Sequence, residues 1–120
     1  MVKVEIKKNY IPVEIGDLKY KFMMTDENYN KLNEFAKTVE KTEGDDIETV
    51  KEVVSKALDV ILEDGAGEEI YQACGNSAVV FYSVYLELAK EISLEVMDEF
   101  KDNATQLEEV ENKQKELTGK

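Results

Sequence analysis

The chain has 120 residues, a formal net charge of −12, and 42% hydrophobic against 35% charged residues. That is the length of one domain, with a modest core beneath a large solvated face. It contains no histidine, tryptophan or arginine, so all 15 basic residues are lysine.

Without histidine no side chain titrates near neutrality at its ordinary pKa, and the usual general base is missing. Cys74 is the single cysteine. One thiol excludes an intrachain disulfide and a structural zinc site, and it reads as a small buried hydrophobe. The expectation is a protein that is not an enzyme and takes no cofactor and no metal. Residues 1–24 carry a net +2, leaving −14 for the rest. An acidic body without arginine forks is a poor ligand for nucleic acid, and it is drawn to basic partners. No 18-residue apolar run and no leader pattern occur, so the expected location is the cytoplasm, away from membranes.

Along the chain, Val2, Val4 and Ile6 alternate with Lys3, Glu5 and Lys7, the period of a half-buried strand. Alternation resumes at Ile11, Val13 and Ile15, breaks at Gly16-Asp17, and continues at Leu18, Tyr20 and Phe22. A two-residue break containing glycine signals a hairpin. Pro12 lacks an amide donor, so its strand should lie at an edge or begin there.

Helical spacing begins at Thr25-Asp26, with Tyr29, Leu32, Phe35, Ala36 and Val39 on one face and Gly44 as the stop. Asp45 or Asp46 caps a second helix with the stripe Ile47, Val50, Val54, Ala57, Leu58 and Ile61. A short helix over residues 68–74 closes at Gly75. Asn76 or Ser77 caps the last and longest helix, whose core face is Phe81, Val84, Tyr85, Leu88, Ile92, Val96 and Phe100.

The expected fold is therefore α+β and mainly α: an N-terminal antiparallel β-hairpin or three-stranded sheet packed on three to four helices, the last one long. Residues 1–101 form the globular domain, with strands over 1–24 and helices over 25–101. Phe35, Leu58, Ile61, Phe81, Leu88 and Ile92 should be mostly buried. Residues 102–120 are polar, with Leu107, Val110 and Leu117 as sparse anchors at 3,4 spacing. A seam that thin is marginal alone, and it reads as a flexible or partner-induced helical tail.

Two segments resemble sites and are better read as turns. Gly65-Ala66-Gly67 follows a helix and lacks the lysine and hydroxyl of a phosphate loop. Glu43-Gly44-Asp45-Asp46 lacks the alternating oxygen ligands of a calcium loop. The run Val79 to Tyr85 is apolar nearly all round and is expected at the domain's centre. Tyr82 and Met97 are left after the core is assigned, and with Leu107, Val110 and Leu117 they are the candidate protein-binding residues.

The wording Val13-Glu14-Ile15-Gly16-Asp17-Leu18-Lys19-Tyr20-Lys21-Phe22 resembles the opening strand pair of tail assembly chaperones of long-tailed phages and prophages of Gram-positive bacteria. The resemblance continues through an acidic helical body with Ile61-Leu62-Glu63-Asp64-Gly65, a short helix with Ile70-Tyr71 and an apolar helix over residues 78–88. It spans residues 2–100 and its motifs are structural. It implies a non-enzymatic chaperone that binds the tape-measure protein, helps recruit tail-tube protein and works in the host cytoplasm, with a homo-oligomer also open. Composition alone fits a second class equally well: a small acidic regulator or inhibitor on a basic protein surface.

Overall fold

The computed structural model describes residues 1–117, and the side chains of residues 1–103 and of Glu108. The elements run β1 (Tyr10–Ile15), β2 (Leu18–Met23), α1 (Asp26–Glu40), α2 (Ile47–Ile61), α3 (Ala66–Ala73) and α4 (Ala78–Leu117). This is the expected α+β architecture, in its hairpin form and with four helices among the described residues. The chain divides into two compact units, Met1–Ala89 and Lys90–Lys120.

In the first unit β1 and β2 pair antiparallel, with Ile11 opposite Phe22, Val13 opposite Tyr20 and Ile15 opposite Leu18. Gly16 turns the chain at φ +57°, a left-handed value that suits the first place of a two-residue hairpin loop. One face of the ribbon buries Val13, Tyr20 and Phe22.

The ladder also explains Pro12. The amide of Met24 donates to the carbonyl of Asn9, so hydrogen-bonded pairs fall at 9, 11, 13 and 15. Pro12, opposite Lys21, sits between them, where its missing N–H would have pointed away from β2. The outer edge of β1 is thereby interrupted, and no third strand forms among the described residues. Val2, Val4 and Ile6 keep the alternation of a strand but stand 89%, 83% and 97% exposed. The three-stranded alternative is corrected accordingly.

Each helix begins where its cap is. Thr25 accepts from the amide of Asn28 at 3.1 Å, and Asp46 accepts from the amide of Thr49 at 2.8 Å. Hydrogen bonding from Thr49, first from its side chain and then from its backbone amide, holds the Asp46 carboxyl below its ordinary pKa. Gly65 leads α3 with φ +89° and offers no side chain. Asp59 of α2 supplies the missing acceptor, taking the Gly67 amide at 2.8 Å. Gly75 and Asn76 are both left-handed at φ +70° and +57°. They reverse the chain so that Ser77 can accept from the Val80 amide and start α4.

Helix α2 packs on both α1 and α3, and its Val54, Ala57, Leu58 and Ile61 are essentially sealed from solvent with Leu32, Val39, Ile70, Phe81 and Tyr85. Phe35 and Leu88 are half-buried rather than central. Tyr71 meets Phe81 edge-on, with centroids 5.4 Å apart, and the Lys51 ammonium lies over the Tyr71 ring, 4.0 Å from its centroid.

In the second unit α4 continues to Leu117. Ile92 and Val96 are buried, but Phe100, expected on the core face, is 68% exposed. The reason is geometric. Each step of four residues overshoots a 3.6-residue turn by about 40°, so the series 88, 92, 96, 100 drifts off the face. The expectations at Leu107, Val110 and Leu117 lie outside the residues whose side chains are described.

Candidate protein-docking cleft

Two turns of the first unit converge on an apolar cleft. One follows α1. Thr42 is 5% exposed, and its hydroxyl donates to the carbonyl of Val39 at 2.6 Å. Its own carbonyl accepts from the Asp45 amide at 2.9 Å. Gly44, at φ +88°, completes the bend, so that Glu43 and Asp45 project while Ile47 opens α2. The other turn is the start of α4, where the Ser77 cap presents Ala78, Val79 and Tyr82.

Between them lies a cleft of about 270 Å³, lined chiefly by Glu43, Asp45, Ile47, Val50, Val79 and Tyr82. Its large apolar members are open to solvent: Ile47 is 63% and Val79 72% exposed. Contiguous exposed apolar surface of this kind, rimmed by carboxylates, is what a docking site looks like. Tyr82 is half-buried. Next to it Tyr85 is buried, and burial first, then the neighbouring Tyr82, push the Tyr85 phenol up to about 12. No hydrogen-bond partner reaches the buried hydroxyl of Tyr85 or that of Tyr20 among the described residues.

A larger groove of about 470 Å³ runs along α2, lined by Glu48, Lys51, Glu52, Ser55, Lys56 and Asp59. Its charges are mixed and partly engaged. Lys51 covers Tyr71 and Asp59 caps α3, which leaves little to hold a ligand.

Of the sequence candidates, Tyr82 lines the cleft and Met97, in the second unit, is exposed. Leu107, Val110 and Leu117 fall among side chains outside the described set. Two cleft residues were misplaced by sequence reasoning. Periodicity puts Ile47 on the core stripe of α2 and Val79 at the buried centre, and the structure exposes both. The signal for Val79 was available: it lies two residues, about 200° of helix, from the buried Phe81. Val80, likewise exposed, sits about 100° from it.

Burial raises the pKa of the half-buried Cys74 thiol, which keeps it protonated and a weak nucleophile. Among the described residues no helix is long and apolar enough to cross a membrane. No family model, curated protein or solved structure matches the chain.

Proposed function

We propose that this chain is a non-enzymatic tail assembly chaperone. It binds apolar helical stretches of a tape-measure protein in the cytoplasm, covering them until tail-tube protein is recruited. The observation that carries the reading is the open Ile47–Val79–Tyr82 cleft, which gathers exposed apolar side chains from two turns into one depression. Helix-in-groove recognition needs a few large apolar contacts in a shallow depression, and this cleft offers them. The resemblance in the hairpin wording and in the order of the helical segments supplies the partner's identity. Calorimetric titration of the full chain with helical fragments of a tape-measure protein tests it. Saturable binding is expected, and no heat with any fragment would end the proposal.

The second reading, an acidic regulator on a basic protein, draws on Glu43 and Asp45 at the cleft mouth. The two separate by salt. Apolar helix capture should fall little with ionic strength, whereas binding to a basic surface should fall steeply.

A further inference from the structure

We propose that residues 1–8 of one copy dock in the Ile47–Val79–Tyr82 cleft of a second copy. In its own chain this segment makes no strand, and Val2, Val4 and Ile6 are almost wholly exposed. Three aliphatic side chains on one side of an extended segment, all in water, are an unspent source of apolar burial. The cleft is the matching half. Its lining brings together Ile47, Val50, Ala78 and Val79, and includes Glu43 and Asp45 but no lysine.

Charge selects this occupant. The segment carries Lys3, Lys7 and Lys8 against the single acid Glu5, in a protein that is elsewhere strongly acidic. Alternation turns Val2, Val4 and Ile6 to one side and Lys3 and Lys7 to the other. With the aliphatic row in the cleft, the lysines are left at its mouth, where long stems can lead their ammonium groups to Glu43 and Asp45. Lys8 already lies 5.7 Å from the Tyr10 ring centroid, which marks the place where the segment joins β1.

The sheet edges fit this segment less well. The outward side of β1 lacks a donor at Pro12. β2 carries Lys19 and Lys21, which repel a lysine-rich strand and guard the edge. Self-docking is independent of which partner the cleft otherwise serves, and any such partner would have to displace it.

The test uses the full chain. A spin label is attached at Val2→Cys in a Cys74→Ser background, and this protein is mixed with an isotope-labelled, unspun copy. Intermolecular broadening should centre on the amides of Ile47, Val79 and Tyr82. In sedimentation the protein should self-associate, less so as salt rises. Ile6→Asp and Ile47→Asp, both at exposed positions that leave the fold intact, should each weaken association by about tenfold or more. A chain that stays monomeric at millimolar concentration would overturn the proposal. Broadening along β2 instead of the cleft, or no broadening of the isotope-labelled copy, would also overturn it.

Discussion

Asn28, in the first turn of α1, donates its side-chain amide to the carbonyl of Ile61 at the end of α2, 3.2 Å away. The same amide donates to the carbonyl of Met23, the last residue of β2, at 3.0 Å. One side chain thus joins the hairpin, α1 and the C-terminus of α2, satisfying a carbonyl that the helix itself leaves unpaired. Asn28→Ala should lower unfolding stability by ~1–3 kcal/mol. Denaturant melts showing a change below ~0.5 kcal/mol, the range of ordinary surface sites, would mean that water replaces the amide without loss.

Gly67 is needed for packing and not for a left-handed turn. A Cβ placed there would lie 2.8 Å from the Ser55 Cα and 2.5 Å from its carbonyl oxygen, so backbone would have to move. Gly67→Ala should destabilise by ~1–3 kcal/mol, although alanine is the better helix former. A gain in melting temperature would show that α2 and α3 are farther apart.

Tyr85 gives a pH dependence with a definite sign. Its phenol is raised from 10.0 to about 12 by burial. The folded state therefore holds the proton more tightly than the unfolded chain. The associated stability is fully present below pH 10.0 and is lost as pH rises toward about 12. Since the buried hydroxyl has no partner, Tyr85→Phe should be neutral or stabilising near neutrality and should flatten this alkaline loss. Urea melts across that range would check it. An unchanged alkaline slope in the variant would assign the loss to other groups.

Much of the fold was legible because local signals agreed with one another. The change from period 2 to period 3.6 at Thr25, the Gly16-Asp17 break, and the caps Thr25, Asp46 and Ser77 all stand where the chain uses them. What stayed hidden depended on partners distant in sequence. Asn28 reads as a plain helical residue until Ile61 is beside it. Asp59 reads as a solvated charge until Gly67 needs an acceptor. The candidate site was legible only at Tyr82. Ile47 and Val79 are apolar residues at helix starts, and periodicity cannot tell whether a neighbour will cover them.

The contrast between covered and uncovered apolar residues can be measured. Leu58 is fully buried, so Leu58→Ala should cost ~2–5 kcal/mol. Leu88→Ala, at a half-buried position, should cost less. Val79→Ser should stay within ~0.5 kcal/mol. Chemical denaturation of the three variants would settle the order, and a large loss at Val79 would mean that it belongs to the core.

The central claim is that the cleft captures apolar helical segments. Calorimetry of the full chain against a tape-measure fragment, repeated with Ile47→Asp, Val79→Asp and the control Glu87→Ala, tests it most directly. Both cleft variants should lose at least about tenfold in affinity, while the control, exposed on α4 and not among the residues lining the cleft, binds as wild type. Equal affinity for wild type and both cleft variants would contradict the assignment of the cleft.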